Sequence, residues 1–327
     1  MLLLRKYLLL LLFSVILLQG CERNAPTETA GDGLPPAVPV NLKIYSAYDG
    51  EIQIVWHANV ELDLKGYNIY RSTDSTHFSM IGFSDQNYYL DDSLDYDVKY
   101  FYRVTALDVE NRESNASYIV GAVPKNVYKP FAPSFPQINA RNWPAGKSVY
   151  LTWDPGYETD IAGVYIYRST VQGFTPDSTN FHGFSAISTY SDTSDLSLLT
   201  LYFYKIVAVD KGNLRSSPSS EVGDKILPVV SVVSPLGTLH ANTLTFKFIA
   251  VPVSTSYEVT LQSNPYFGQI WSKVLTSTTI DDTITVDYDG NYIDFGVNYY
   301  WRVVTYTNDY SSPNSISPLY NFVLQPE

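Results

Sequence analysis

The sequence predicts an all-β chain, and the first observation behind this prediction is an internal repeat. A block of about 100 residues occurs twice, with nearly the same letters in two long segments. These segments are DLKGYNIYRST (63–73) and YFYRVTALD (100–108) in the first copy, and DIAGVYIYRST (160–170) and YFYKIVAVD (202–210) in the second. The repeat determines the architecture of most of the chain.

Alternating side chains and turn residues are the second and third observations. Large apolar residues alternate with others over 52–56 and again over 149–153, which is the period of a strand with one buried face. Turn signals such as Asp49-Gly50 and Gly212-Asn213 stand between these strands. No stretch after residue 21 shows a sustained helical period with caps.

The composition of the chain indicates a globular protein and argues against nucleic acid and anionic lipid headgroups as partners. The chain has 327 residues, 45% of them hydrophobic and 17% charged, so it is globular and long enough for two or three domains. Its net charge of −12 argues against nucleic acid and against electrostatic binding to anionic lipid headgroups. Because Cys21 is the one cysteine, no intramolecular disulfide can form, and stability must come from packed cores.

The N-terminus has the pattern of a secretory signal. Arg5 and Lys6 precede the apolar run Tyr7–Leu18, whose 12 residues are too few to span a bilayer, which takes about 20. The run ends in Leu18-Gln19-Gly20-Cys21, which resembles a bacterial lipoprotein signal with Cys21 as the lipidated residue. Two or three acyl chains on this cysteine would hold the protein on a membrane. The alternative is an ordinary secreted protein with an incidental cysteine.

The resemblance implies a location in the bacterial cell envelope. Residues 1–20 would be the signal peptide, and residues 21–37 would form a flexible tether that is too polar to order itself. The mature chain would be anchored at the periplasmic or cell-surface face of a membrane, with the outer membrane favoured. Membrane lipid, through the acylated Cys21, is therefore the first expected partner.

The two copies resemble fibronectin type III domains. In each, a proline-rich entry leads to a strand ending in Trp, then to a Gly-x-x-Ile-Tyr-Arg strand, and then to a Tyr-x-Tyr strand with a cation. The resemblance covers 38–124 and 132–226 and implies immunoglobulin-like β-sandwiches. It also implies that Trp56 and Trp153 are core residues, and that Tyr100 and Tyr202 form tyrosine corners.

The last hundred residues look like a more distant third copy. In 228–327, Phe248 stands in the Trp position and Tyr299 in the corner position, and Trp301 replaces the second Tyr of the Tyr-x-Tyr strand. A related immunoglobulin-like sandwich is the alternative. A proline-marked linker at 124–133 separates the first two domains, whereas almost no linker precedes Pro228. We therefore expect the second and third domains to be in contact through a stiffer junction.

Candidate chemical sites are few. The four histidines are far apart in sequence and have no cysteine partner, so we expect no metal and no cofactor. The Asp-rich runs 91–97 and 281–290 lack the spacing of a calcium loop and are interpreted as solvated loops and edges. Asp63 and Asp160 recur at one turn of each copy, which indicates a structural role. No serine nucleophile motif is present, so we predict that the protein is not an enzyme.

Aromatic side chains on the outer faces are the remaining candidates for a binding site. Alternation places these residues outward together with one cation per domain; they are Tyr70, Phe101 and Arg103 in the first domain and Tyr165, Tyr167, Phe203 and Lys205 in the second. The third domain offers the loop residues Tyr266, Phe267 and Tyr310. One interpretation is cross-strand packing with the cation over a ring, and the other is a contact surface for a glycan or a protein.

These patterns predict a non-catalytic, membrane-anchored envelope lipoprotein. Its body would be three consecutive fibronectin type III-like β-sandwiches serving as a protein-interaction, adhesion or spacer module, with an envelope or extracellular protein as partner. The alternative is an accessory lipoprotein that binds a polysaccharide through the outward aromatic residues. The resemblance is specific for the fold, and this fold hosts many binding roles.

Overall fold

The computed structural model describes residues 31–253, 255–277, 281–307 and 312–327. Within these ranges the chain consists of strands, turns and loops without a helix, so the all-β prediction is confirmed. The predicted signal peptide, Cys21 and Tyr310 lie outside the described residues. No helix long and apolar enough to cross a membrane occurs in the described ranges.

The chain forms two compact units. The first contains residues 31–47, Glu51–Asp91 and Val98–Val123, and the second contains Tyr48–Gly50, Asp92–Asp97 and Pro124–Glu327. The predicted first domain falls mainly in the first unit. The predicted second and third domains both fall in the second unit.

The first sandwich consists of a three-stranded and a four-stranded sheet. Its strands are β1 (Lys43–Tyr48), β2 (Glu51–Val55), β3 (Leu64–Ser72), β4 (Ser79–Ser84), β5 (Tyr88–Asp91), β6 (Tyr100–Asp108) and β7 (Val120–Ala122). The sheet orders are β1-β2-β5 and β4-β3-β6-β7. Period-two alternation buries Ile52 and Ile54 of β2 and Ile69 of β3, and the rings of Trp56 and Tyr67 meet edge to face at 5.0 Å.

The chain just before the first sandwich is held by hydrogen bonds. The segment predicted to be a flexible tether extends to residue 37, yet the amide of Ala37 donates to Glu61 at 2.7 Å and the amide of Asp32 donates to Asp63 at 3.3 Å. Pro36 is buried. Residues 32–37 are therefore attached to the sandwich, because Glu61 and Asp63 accept their backbone N–H groups.

The second sandwich repeats this arrangement. Its strands are β8 (Ser134–Trp143), β9 (Gly146–Asp154), β10 (Ile161–Ser169), β11 (Phe181–Ser185), β12 (Thr189–Asp192), β13 (Leu201–Asp210) and β14 (Val222–Lys225), in sheets β12-β9-β8 and β11-β10-β13-β14. Gly163 in β10 has φ +156°, and a Cβ there would collide with the Phe184 ring and the Ser185 carbonyl. Gly66 in β3 meets the matching Phe83 and Ser84. This close approach explains the repeated glycine.

The third sandwich follows directly. Its strands are β15 (Ser231–Ser234), β16 (Gly237–His240), β17 (Thr245–Ile249), β18 (Thr255–Gln262), β19 (Gln269–Ser277), β20 (Thr283–Asp287), β21 (Asn298–Tyr306), β22 (Ser315–Ile316) and β23 (Tyr320–Gln325). One sheet has the order β15-β17-β20, and the other runs through β19, β18 and β21 to β23 and β16. Phe246 and Phe248 of β17 and Trp301 of β21 are fully buried between them.

A strand pairing joins the second and third sandwiches. β22 pairs in parallel with β8 through Ser315 and Asn142, so one nine-stranded sheet runs through both sandwiches. The amide of Asn142 donates to the carbonyl of Asn314 at 2.7 Å, and the indole of Trp143 donates to the carbonyl of Pro313 at 3.0 Å. The two sandwiches are therefore in direct contact.

Candidate functional site

The six predicted core aromatics are all buried. They are Trp56, Tyr100, Trp153, Tyr202, Phe248 and Tyr299. The Tyr202 hydroxyl donates to the carbonyl of Asp195 at 3.2 Å and accepts from the amide of Ser197 at 2.9 Å, which is the upstream backbone contact of a tyrosine corner. Tyr299 likewise accepts from the amide of Asp294 at 3.0 Å.

A buried carboxylate network, which the sequence patterns described above do not predict, lies inside the second sandwich. Asp192 Oδ2 accepts from Arg168 Nη1 at 2.7 Å and from the Tyr204 hydroxyl at 2.6 Å, and His182 Nε2 lies 2.9 Å from Asp192 Oδ1. Burial alone would raise the pKa of Asp192, but hydrogen bonds from His182, Tyr204, the Ser194 amide and Arg168 lower it overall. Burial beside this carboxylate raises the pKa of Tyr204.

The first sandwich contains the same network without the histidine. Asp91 accepts from Arg71 Nη1 at 2.9 Å and from the Tyr102 hydroxyl at 2.6 Å. Asp91 begins the run 91–97 that was interpreted as solvated, and this interpretation is wrong for Asp91, which is buried because Arg71 and Tyr102 supply its hydrogen bonds. In the third sandwich the indole of Trp301 donates to the carbonyl of Pro235 at 2.9 Å.

In the first sandwich the outer aromatic residues are packed on one another. The guanidinium of Arg103 lies 5.4 Å from the Tyr70 ring and 4.5 Å from the Phe78 ring, and Lys99 lies 5.1 Å from the Phe101 ring. The Tyr70 hydroxyl donates to Glu113 Oε1 at 2.6 Å. The cations and the Tyr70 hydroxyl are therefore engaged by neighbouring residues of the same sandwich. This matches the interpretation of the outer aromatic residues as cross-strand packing with a cation over a ring.

In the second sandwich, Tyr167 and Phe203 of the predicted outer face are covered by neighbouring groups. Both side chains are buried. The Phe181 ring packs edge to face on Tyr167 at 5.8 Å, and the Phe203 ring lies against the backbone at Gly223. Lys205 is also engaged, since its ammonium donates to the carbonyl of Phe174 at 2.7 Å and lies 5.2 Å from that ring.

Tyr165 remains accessible beside a shallow cavity on this face. Tyr165, Tyr167, Phe181 and Arg215 line a space of about 350 Å³. The guanidinium of Arg215 lies 4.7 Å from the Tyr165 ring. The matching places in the first sandwich hold Asn68 and Glu113, which hydrogen-bond each other at 3.0 Å. The outer face of the second sandwich therefore offers a cavity lined by aromatic rings.

The loop aromatics of the third sandwich are well exposed. Tyr266 and Phe267 have 89% and 70% of their surfaces accessible in the turn between β18 and β19. Their fellow candidate Tyr310 lies outside the described residues. Within the described ranges, no group of His, Cys, Asp and Glu side chains could hold a metal ion.

Asp224 is the centre of the joint between the second and third sandwiches. Its Oδ2 accepts from the amide of Ala140 at 2.7 Å and from Asn314 Nδ2 at 2.8 Å. Its Oδ1 accepts from the Thr307 hydroxyl at 2.9 Å and from the amide of Lys225 at 2.7 Å. Burial raises the pKa of Asp224, although all four of these hydrogen bonds act to lower it.

A cavity of about 490 Å³ opens beside this joint. Its polar lining includes Arg141, Gln137 and Asn139 of β8 and Thr152 of β9, and its apolar lining includes Ile138. The guanidinium of Arg141 lies 4.5 Å from the Trp143 ring and 4.3 Å from the Tyr150 ring. Arg141 Nε donates to Asn139 Oδ1 at 2.7 Å. A cation is thus held in a fixed orientation at the wall of the cavity.

Comparison with known proteins finds a similar solved structure but no matching family. No family model matches the chain, and no curated protein matches it. Among solved structures it is similar to the FN1–FN3 domains of chicken CNTN1, with 14% identity, a TM-score of 0.35, and coverage of 89% of this chain and 99% of that chain. Because this TM-score is low, the fold rests on the strand pairing described above. That pairing defines fibronectin type III-like β-sandwiches.

Proposed function

We propose that this protein is a non-catalytic, membrane-anchored envelope lipoprotein whose sandwiches serve as a protein-interaction and spacer module. The observation that carries the proposal is the joint at Asp224, which fastens the second sandwich to the third through four hydrogen bonds to one buried carboxylate. A joint of this kind suits a module that presents the surfaces of two sandwiches in a fixed mutual orientation.

The buried polar groups also support a structural role. A catalytic carboxylate needs a free oxygen that faces a substrate. In the described part of the chain, both oxygens of Asp91, Asp192 and Asp224 accept hydrogen bonds from neighbouring donors. The sequence pattern that ends at Cys21 supplies the anchor in this proposal.

Replacing Cys21 with alanine is the variant that tests the anchored role. We expect the tagged wild-type chain to sediment with membranes and to cross-link in native cells to a defined partner, and we expect the Cys21→Ala chain to lose both properties. Detergent extraction followed by affinity purification and identification of cross-linked bands measures both. A Cys21→Ala chain that sediments with membranes and keeps the same partner would contradict the anchored role.

A second candidate function is saccharide binding, and the cavity beside Tyr165 favours it. Replacing Phe181 with alanine should weaken binding of a soluble polysaccharide about three- to tenfold, because an aromatic contact contributes about 0.5–1.5 kcal/mol. Met80 occupies the matching register position in the first sandwich, so Met80→Ala is the control. Fluorescence titration measures the effect. Equal losses in the two variants, or no binding by the wild type, would exclude this site.

A further inference from the structure

Among the described residues, no acidic side chain forms an ion pair with the cation at the wall of the 490 Å³ cavity. The ion pairs found among the described residues include none to Arg141. Asp224 also lines the cavity, but its two oxygens accept from the four donors described above. Burial lowers the pKa of Arg141, yet a guanidinium remains charged at neutral pH. Within the described ranges, the guanidinium of Arg141 therefore lies at the cavity wall without an ion-pair partner.

The contacts of Arg141 leave one side of its guanidinium fork for a ligand. The rings of Trp143 and Tyr150 fix the plane of the group, and Nε is engaged by Asn139. The two terminal nitrogens, whose planar fork matches a carboxylate in a bidentate arrangement, have no partner in the described residues. The arginine is therefore preorganised, so little side-chain entropy is lost when an anion binds.

The rest of the lining suits an extended peptide better than a sugar. Pro136, Ile138 and Val222 form an apolar wall beside the guanidinium. A sugar would need a bare aromatic face, but the nearby ring faces are covered by the guanidinium itself. These features fit a carboxylate that is carried on an apolar residue.

The edge of β8 offers the backbone groups of one residue, Ile138, to such a peptide. One edge of β8 pairs with β9, and the other pairs with β22 at Asn142 alone. On this second edge both backbone groups of Ala140 are engaged, because its amide donates to Asp224 Oδ2 and its carbonyl accepts from Asn314 Nδ2. Because the direction of the N–H groups alternates along a strand, the amide and carbonyl of Ile138 face the same edge as those of Ala140. The backbone groups of Ile138 are therefore the ones that this edge offers, and pairing with a strand edge is a common docking mode for extended peptides.

We propose that the cavity at the joint between the second and third sandwiches binds the C-terminal carboxylate of a partner polypeptide that ends in an apolar residue, with Arg141 as the carboxylate receptor. This inference rests on the proposed role as a protein-interaction module and adds the chemistry of the partner. Its test uses the purified full chain in detergent, so the outcome does not depend on whether the anchor is needed in cells.

The test measures fluorescence anisotropy of a dye-labelled pentapeptide that ends in leucine. We expect the free acid to bind, the C-terminal amide to bind at least tenfold more weakly, and binding of the acid to weaken as salt is added. Arg141→Gln should weaken binding of the acid about 10- to 100-fold, and Arg141→Lys should weaken it less, because the charge remains without the bidentate fork.

Arg103→Gln is the matched control. Arg103 is also held by two aromatic rings, but it lies in the first sandwich and outside this cavity, so this variant should bind like the wild type. The comparison of acid and amide uses the wild-type chain alone and stays informative if a variant fails to fold. Equal binding of the acid and the amide by the wild-type chain would overturn the proposal. Equal loss of acid binding in Arg141→Gln and Arg103→Gln would also overturn it. If the chain binds digalacturonate, an acidic disaccharide, and does not bind the peptide, the proposal that the ligand is a peptide is wrong.

Discussion

Replacing Asp224 with alanine is expected to uncouple the second sandwich from the third. The variant removes the acceptor of four hydrogen bonds, two of which come from Thr307 and Asn314 of the third sandwich. Stranding buried donors costs about 1–3 kcal/mol each, so we expect the joint to lose about 3 kcal/mol. Differential scanning calorimetry should show one transition for the joined pair in the wild type and two separate transitions in the variant.

Comparison with the first sandwich indicates that Asp224→Ala should leave the second and third sandwiches folded. Ala122 pairs with Tyr100 as Asp224 pairs with Tyr202, so alanine is compatible with the strand itself. The control is Asp289→Ala, which removes an exposed ion pair with Lys273 in the third sandwich. This variant should keep the single calorimetric transition of the wild type. A single calorimetric transition in Asp224→Ala, as in the wild type, would show that the strand pairing at Asn142 is sufficient to hold the joint.

Asp192→Ala is expected to destabilise the second sandwich by about 3–5 kcal/mol. The variant leaves the guanidinium of Arg168 and the hydroxyl of Tyr204 without their shared buried acceptor. Urea unfolding at neutral pH measures the loss. Tyr204→Phe removes one hydrogen bond and keeps the charge pair, so it should cost only about 1–2 kcal/mol. Equal effects of the two variants would contradict a network centred on the carboxylate.

The same carboxylate predicts a pH dependence. Since the pKa of Asp192 in the folded chain lies below its unfolded value of about 3.9, its contribution is complete above that pH and is lost as pH falls through the folded pKa. Wild-type stability should therefore decline below about pH 4, and Asp192→Ala should decline less steeply. Parallel acid profiles for the two chains would contradict this assignment.

The sequence was sufficient to predict the strands and the core. The repeated Trp and Tyr positions and the alternation beside them identify Trp56, Trp153 and Tyr202 as buried, and the structure places them there. The repeat also contains a signal for the buried network. The Arg of each YRST segment and the Asp two residues after Tyr89 and Tyr190 recur at the same place in both copies.

Other features could not be predicted from period-two alternation. Alternation assigns a side chain to a face of the sheet but not to solvent, so it could not show that Phe174 covers Lys205 or that Phe181 covers Tyr167. The joint depends on residues far apart in sequence, such as Asp224 and Asn314, and the place of Asp224 holds alanine in the first copy. Such a pairing has no local signature.

The rigidity of the joint between the second and third sandwiches is tested most directly by a distance measurement. Spin labels at Ser191→Cys of β12 and Thr285→Cys of β20, both exposed strand positions, can be placed in a Cys21→Ser background that has no other cysteine. Pulsed electron paramagnetic resonance should give one narrow distance distribution for this chain and a broad one after Asp224→Ala. A broad distribution with Asp224 intact would contradict a fixed joint.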